Sequence, residues 1–298
     1  MLGKYLNPQN DVAFKRIFGT EKNKDILIAM LNAVLQEQLH RPIKEVSFIN
    51  PIQDADTVTA KTSIVDVLCT DQGGCQYIIE MQVAKHQAFT KRSQYYASKA
   101  YSRQLSSGES YEELQKVIFL AFLSETVFPH KKDHKSNHAT MDVKTLDKDL
   151  DGVLYTFVEL DKFQVPEGKK LSALSLEERF YLFLKHASDM SQEDFGELTK
   201  DSPVITHAFQ ELSATFWSEE EIASYERIEK KLMDAHNFVA EARKEGLQEG
   251  MEKGKIVGLK EGKIVIAKQM LTKGMDIRLI CDLTGLSAEE VQALRVLR

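Results

Sequence analysis

The sequence predicts an α/β protein in which a mixed β-sheet is flanked by helices and followed by a helical C-terminal region. A segment at 61–83 is rich in β-branched and aromatic residues and is divided by a Gly-Gly turn, as in a β-hairpin. A continuous apolar run at 117–123, VIFLAFL, follows a helical segment and indicates a buried strand reached by a crossover. Beyond residue 219 the patterns are helical.

The composition is that of an ordinary globular protein, with 43% hydrophobic and 28% charged residues among 298. A net charge of −6 argues against general affinity for nucleic acids but leaves room for one local basic face. The three cysteines lack metal-ligand spacing and suit a reducing cytosol. Because no apolar run has the length of a signal peptide or a membrane span, we expect a cytoplasmic protein without a membrane segment.

The remaining elements are predicted from local patterns. A first helix begins at Pro8, with Asn7 as its N-cap, and ends before Gly19. Further helices are expected at 24–39, 176–187 and 203–216, and short strands at 46–49 and 153–158. The polar stretch at 130–152 is expected to be a solvated loop, although it contains three histidines.

The predicted hairpin brings acidic side chains together. A three-residue loop at 72–74, with a glycine in the left-handed conformation, sets a register in which Asp66 lies opposite Glu80. Since side chains alternate along a strand, Gln82 shares their face. The other face is predicted to be apolar and buried, with Val65, Val67, Cys69, Ile79, Met81 and Val83.

Two facing carboxylates repel each other and therefore require a compensating cation. A hard divalent ion such as Mg²⁺ fits, because it takes oxygen ligands from one or two carboxylates and keeps several waters. The alternative is a solvent-facing polar surface on which Lys or Arg side chains neutralise Asp66 and Glu80.

The segment after the hairpin is basic. Between 83 and 107 there is no Asp or Glu, and the Lys and Arg residues are Lys85, Lys91, Arg92, Lys99 and Arg103. On a helix, Arg92, Tyr96, Lys99 and Arg103 share one face, which predicts docking of a phosphate backbone. The alternative is an amphipathic helix that covers the sheet and extends its charges into water.

Glycines recur every four residues in the C-terminal region. A charged helix is predicted at 219–244, and it is followed by Gly246, Gly250, Gly254, Gly258 and Gly262. Each glycine costs a helix about 1 kcal/mol relative to alanine, and close approach of another helix would offset that cost. We therefore predict a helix crossing or a homodimer contact, with a flexible linker as the alternative.

The spacing of apolar residues at 277–294 resembles a helix-turn-helix. Its second helix opens with Glu289 and Glu290, which would repel phosphate, so a protein-facing three-helix cap is favoured. The predicted domains are a core at 1–165, a helical extension at 166–245, and a glycine-repeat helix with a small helical tail at 246–298.

These residues together resemble the PD-(D/E)XK nuclease core, which has an Asp, a Glu-x-Gln on the next antiparallel strand, a helix and a buried strand. The fuller pattern is similar to the Rpn family of recombination-promoting nucleases, also classed as transposases. The matching segments, besides the glycine-repeat tail, are NPQNDVAFKRIFG, IVDVLCTDQGGCQYIIEMQV, QYYASKAYSRQL, FVELDKF and EERFYLFL.

The resemblance implies a PD-(D/E)XK-like core and a metal-dependent DNA endonuclease linked to recombination or mobile DNA. It implies that Asp66, Glu80 and the backbone carbonyl of Met81 bind Mg²⁺ or Mn²⁺. Asp11, on the first helix, would stand where an additional acidic residue supports the site. The ion would polarise the scissile phosphate and lower the pKa of a bound water.

Gln82 stands where many members of the superfamily have lysine. Its amide can orient a water molecule by hydrogen bonding but supplies no positive charge. That charge would have to come from Lys85 or Lys99, and without it the activity would be weak or lost. Two other functions therefore stay open, namely a catalytically inactive module that binds DNA or a protein partner, and a structural oligomer organised by the tail.

Overall fold

The computed structural model describes residues 4–53, 63–83 and 88–296. They form two compact units, 1–230 and 231–298. The helices of the first unit are α1 (Asp11–Phe18), α2 (Lys24–Val34), α3 (Phe89–Ser102), α4 (Leu176–His186), α5 (Gln192–Thr199) and α6 (Pro203–Leu212). The strands are β1 (Val46–Phe48), β2 (Ile52–Gln53), β3 (Ser63–Ile64), β4 (Val67–Asp71), β5 (Gln76–Gln82), β6 (Val117–Leu123), β7 (Lys135–Ala139) and β8 (Val153–Glu159).

The main sheet has six strands in the order β1-β4-β5-β6-β8-β7. The β5–β6 and β6–β8 pairs are parallel and the other three are antiparallel, which confirms the predicted mixed sheet. The connection from β5 to β6 passes through α3, as a parallel crossover requires. All seven residues of β6 are buried, which is typical of a parallel strand covered on both faces.

Both faces of the sheet are packed against helices. On one face, Ile79 and Phe122 join an apolar core with residues of α1, α2, α4 and α6. On the other face, Ile78 and Phe119 pack with Phe89 and Ala97 of α3. The prediction of a sheet flanked by helices is therefore confirmed. The hairpin lies between two helical layers rather than at a solvent-exposed surface.

The first helix begins later than predicted, since its N-cap is Asn10 rather than Asn7. The Asn10 side chain accepts a hydrogen bond from the Val12 N–H, whereas the Asn7 side chain accepts one from the Gln9 N–H in a preceding turn. Both asparagines have the local pattern of a cap, and the turn at Pro8 decides between them.

The solvated loop predicted at 130–152 is wrong in part, because β7 lies within it. This strand pairs antiparallel with β8 at the edge of the sheet. Its sequence, KSNHA, has little β-propensity, so the pairing comes from the tertiary position beside β8.

The second unit contains most of α7 (Glu219–Thr272), together with α8 (Ile277–Thr284) and α9 (Ala288–Val296). The last turns of α7 pack with α8 and α9 around Ala267, Ile280, Leu286 and Val291. Gly285, with φ 68°, ends α8 in the left-handed conformation that glycine tolerates best.

The five glycines at 246–262 lie inside α7, so this segment is helical rather than an irregular linker. A Cβ built on any of them meets no atom within 4 Å in the part of the chain that the structure describes. The predicted helix crossing or homodimer contact at these glycines therefore stays a prediction. The three-domain division at 165 and 245 stays a prediction. Among the described residues, no helix has the length and apolar character needed to cross a membrane.

Candidate metal centre

The β4–β5 hairpin has the predicted register. Val67 pairs with Ile79 and Thr70 with Gln76, and Gly74 has φ +86° in the turn. Asp66 immediately precedes the paired part of β4, so it stands across from Glu80. The prediction that this register brings the two acids together is confirmed.

Two details of the hairpin differ from the prediction. The regular strand begins at Val67 because the chain bends at Asp66, and Val65 consequently packs in the α3-side core rather than beside Val67. The solvent-facing alternative is wrong for Glu80, which is only 6% exposed. A carboxylate at this depth needs hydrogen bonds or a cation.

Asp66 is held by the backbone of the neighbouring strand. Its Oδ2 accepts a hydrogen bond from the Met81 N–H at 2.9 Å. Its Oδ1 lies 3.4 Å from Nζ of Lys15. Because the N–H and C=O of one residue point to the same side of an extended strand, the Met81 carbonyl lies at the same edge as Asp66.

The Glu80 carboxylate interacts with the backbone of Asp66. The Asp66 N–H donates a hydrogen bond to the Glu80 carboxylate. The Oε1 atom of Glu80 is buried and has no hydrogen-bond partner among the described residues. An unsatisfied carboxylate oxygen costs free energy when it is buried, and a metal ion would satisfy it.

Burial is the main cause of the raised pKa values of Asp66 and Glu80. Burial raises the pKa of Glu80 to about 8, and the neighbouring Asp66 carboxylate contributes to this rise. Burial likewise raises the pKa of Asp66 to about 6, against the lowering effect of the hydrogen bond from Met81. Without a cation the pair therefore retains a proton near neutral pH, and a cation would favour the doubly ionised form.

Helix α1 brings Asp11 and Lys15 to the same place. They are four residues apart on one face, and Nζ of Lys15 lies 2.9 Å from Oδ1 of Asp11. The negative charge of Asp11 also lies close enough to Asp66 to raise the pKa of the Asp66 carboxyl group. The sequence pattern does not single out Lys15 as a site residue, although its spacing from Asp11 within the opening motif indicates that the two side chains would be neighbours on a helix.

Helix α3 places Arg92 on the Glu80 side of the pair. An N–H of Arg92 donates to Oε1 of Gln82, and the guanidinium charge opposes the rise in the pKa of Glu80. The guanidinium lies 5.2 Å from the ring centroid of Phe89 and 5.9 Å from that of Tyr96. Arg92 thus lies beside the carboxylates and against the Phe89 and Tyr96 rings of its own helix.

The other members of the predicted basic stripe differ in accessibility. Lys99 is buried, with 9% exposure, and its ammonium lies 5.9 Å from the centroid of the Tyr95 ring. Arg103 is the C-cap of α3 and is exposed. Lys85 lies outside the described residues. Helix α3 therefore does not present a uniformly exposed basic stripe, because Lys99 is buried while Arg103 is exposed.

The donors at the hairpin suit a hard divalent cation. Across residues 4–53, 63–83 and 88–296, no cluster of three His, Cys, Asp or Glu side chains is spaced to hold a metal ion. Two carboxylates and the Met81 carbonyl are nevertheless a sufficient protein contribution for an ion that keeps several waters, as Mg²⁺ does. The unpartnered oxygen of Glu80 is the observation that favours this fit.

Comparison with known families agrees with this architecture. The model of the PD-(D/E)XK nuclease family transposases matches residues 8–242, and the sheet with its flanking helices is the expected core. The model of the C-terminal HTH domain of the Rpn/YhgA-like nuclease family matches residues 260–296. No curated protein and no solved structure matches the chain.

These matches bear on the C-terminal motif and on the chemistry of the hairpin. The resemblance of 277–294 to a helix-turn-helix is confirmed, whereas a protein-facing role for it stays a prediction. Nucleases of the matched family typically use divalent metals, which agrees with the donors at the hairpin. The matches support a nuclease-like or transposase-like function. Because the first of them covers well over half of the chain, the protein belongs to the PD-(D/E)XK nuclease family of transposase type.

Proposed function

We propose that this protein is a divalent-metal-dependent DNA endonuclease that hydrolyses phosphodiester bonds and acts in recombination or on mobile DNA. The single observation that carries the proposal is the buried Asp66–Glu80 pair, with one carboxylate oxygen of Glu80 left without a partner among the described residues. A buried acidic pair is unfavourable for stability alone, and such sites are typical of function.

In this proposal Asp66, Glu80 and the Met81 carbonyl hold the ion, which we take to be Mg²⁺, with Mn²⁺ as a substitute. When bound, the ion neutralises charge on the scissile phosphate and acidifies a coordinated water. The hydrogen bonds from Met81 to Asp66 and from Asp66 to Glu80 fix both carboxylates before the ion arrives. This preorganisation is what a site on paired strands provides.

Gln82 and Arg92 act as a unit in the proposed site. Arg92 donates to the Gln82 side-chain oxygen, which directs the amide N–H groups of Gln82 toward a water or a phosphate oxygen. Arg92 also carries positive charge on the Glu80 side, where a lysine at position 82 would have supplied it. Tyr96, one turn further along α3, is a hydrogen-bond donor at the same side.

The direct test is incubation of the purified full chain with supercoiled plasmid, with Mg²⁺, with Mn²⁺ and with EDTA. We expect nicked or linear product in either ion and none in EDTA. Binding of the plasmid without cleavage in any divalent ion would instead favour the second candidate, a DNA-binding module on an inactive nuclease core. The observation that favours this second candidate is the amide at Gln82 in place of a cation.

The exposed end of α3 is proposed to contact the DNA backbone. We expect Arg103→Ala to weaken binding to all DNA sequences alike, and to reduce the slope of log affinity against log salt by about 1, since one phosphate contact is lost. The measurement is fluorescence anisotropy with a labelled duplex at several salt concentrations. Lys44→Ala, at another exposed basic residue, is the charge-matched control and should leave the slope unchanged. An unchanged slope for Arg103→Ala would remove Arg103 from the interface.

The glycine-repeat part of α7 is proposed to mediate homodimerisation. No atom of the described residues fills the space beside these glycines, so a helix of a second copy could approach closely there. Light scattering of the full chain is expected to give twice the 33.9 kDa monomer mass at micromolar concentration. Gly254→Gln combined with Gly258→Gln should shift the protein to the monomer, because the larger side chains prevent close backbone approach. Glu252→Gln, elsewhere on α7, serves as the control. A monomer mass for the unmodified chain would contradict the proposal.

The helix-turn-helix unit is proposed to add a second DNA contact. The match to an HTH domain supports this role, whereas Glu289 and Glu290 at the start of α9 oppose close approach to phosphate.

The three cysteines are unpaired, in keeping with the reducing cytoplasm in which we place the protein.

A further inference from the structure

Among the described residues, Lys15 forms an ion pair with Asp66, one of the two proposed metal-binding acids. Its ammonium lies 2.9 Å from Oδ1 of Asp11 and 3.4 Å from Oδ1 of Asp66. The Asp66 side chain is 14% exposed and that of Lys15 is 37% exposed, so this ion pair is partly shielded from water. Arg92 lies on the other side of the acidic pair, where it bonds to Gln82.

The two oxygens of Asp66 have different partners. Oδ2 accepts the hydrogen bond from the Met81 N–H, and Oδ1 faces the Lys15 ammonium. A metal ion that uses Oδ1 must therefore share or replace the contact made by Lys15. Two cations cannot occupy the same carboxylate oxygen at short range without strong repulsion.

We propose that Lys15 is the resident counter-ion of this site: it holds Asp66 while no divalent ion is bound, and it competes with that ion for Oδ1. The inference rests on the proposed function, because it assumes that Asp66 is a metal ligand. Lys15 is a positioning residue that acts through Asp66, and it sets how tightly the site binds its ion.

Asp11 has an indirect part in this exchange. It is the nearer partner of Lys15 and its side chain is 46% exposed, so it can keep the ammonium neutralised when a divalent ion takes Asp66. Asp11 thereby favours metal binding through Lys15, without itself being a ligand of the ion. This role differs from the direct support of the site that the sequence resemblance implies.

The test is the dissociation constant for Mn²⁺, measured on the full chain at fixed pH by electron paramagnetic resonance of the free ion. We expect Lys15→Met to tighten Mn²⁺ binding roughly two- to fivefold, the range of a partly exposed ion pair. Lys15→Arg, which keeps the charge, should bind Mn²⁺ like the unmodified protein. Lys44→Met, which removes an exposed positive charge elsewhere, is the control for long-range charge effects.

A double-mutant cycle separates the two roles of Asp11. In the protein that retains Lys15, Asp11→Asn should weaken Mn²⁺ binding about threefold. The Lys15 ammonium then pairs with Asp66 alone and competes more strongly with the ion. The same substitution should weaken Mn²⁺ binding clearly less in the Lys15→Met background, where only the direct effect of the Asp11 charge on Asp66 remains. Equal weakening in both backgrounds would overturn the indirect role of Asp11.

The outcomes also separate this inference from the proposed function. If the unmodified protein binds Mn²⁺ and Lys15→Met binds it no more tightly, the competition is disproved while the nuclease proposal stands. If neither protein binds Mn²⁺, both fail. Near-ultraviolet circular dichroism checks that each variant is folded, and Lys15→Gln provides a second variant without the charge should Lys15→Met prove unfolded.

Discussion

Asp66→Asn and Glu80→Gln are each expected to reduce plasmid cleavage in Mg²⁺ by at least about 10²-fold, the scale of losing one preorganised charge-stabilising group. Both substitutions keep the size of the side chain and remove one negative charge from the proposed metal centre. The amide oxygen introduced by Asp66→Asn can still accept the hydrogen bond that Asp66 takes from the Met81 N–H. A loss of activity would therefore reflect the charge rather than collapse of the hairpin. Initial rates of plasmid nicking across a range of Mg²⁺ concentrations are the measurement.

The matched control is Glu45→Gln, which neutralises an exposed acid next to β1 and should cleave at the unmodified rate. Recovery of activity in the Asp66 and Glu80 variants at higher Mg²⁺ would indicate weakened ion binding, whereas no recovery would indicate a loss at the chemical step. Cleavage by both variants at the rate of the unmodified protein would remove the two acids from the active centre and with them the nuclease proposal.

The second large effect concerns stability and pH in the absence of divalent ions. Glu80 has an ordinary pKa of 4.5 when unfolded, and burial raises it to about 8 in the folded protein. The folded state thus binds this proton more tightly, so the associated stability is fully present below pH 4.5 and is lost as the pH rises toward 8. Between about pH 5 and pH 8 we expect the free energy of unfolding to fall by about 2–4 kcal/mol more for the unmodified protein than for Glu80→Gln.

Urea denaturation in EDTA at several pH values measures this difference. The comparison is between the two proteins' changes in the free energy of unfolding with pH, not between their stabilities at one pH. The cost of burying the glutamine amide in place of the carboxyl group is the same at every pH and therefore cancels. Saturating Mg²⁺ should flatten the curve of the unmodified protein, because the ion binds the folded state with both acids ionised. Glu45→Gln should retain the full pH dependence. Parallel curves for Glu80→Gln and the unmodified protein would show that Glu80 ionises normally in the folded state.

Much of the fold could be predicted because its signals are local. The apolar run of β6, the Gly-Gly turn and the alternation along β5 depend on residues close in the chain, and the hairpin register follows from loop length. Strand β7 could not be predicted, since its polar sequence forms a strand by pairing with β8. The shift of the N-cap from Asn7 to Asn10 likewise depends on the turn between them.

The pairing of the two acids follows from local sequence, because Asp66 and Glu80 belong to one hairpin whose turn sets the register. How these acids are neutralised and how deeply they are buried depends on contacts between distant parts of the chain. Helices α1 and α3 are distant from each other in the chain, yet they bring Lys15 to Asp66 and Arg92 to Gln82 from the two helical layers. Burial beneath those layers, rather than residue type, raises the pKa of Glu80, and burial depends on packing between segments that no local pattern relates.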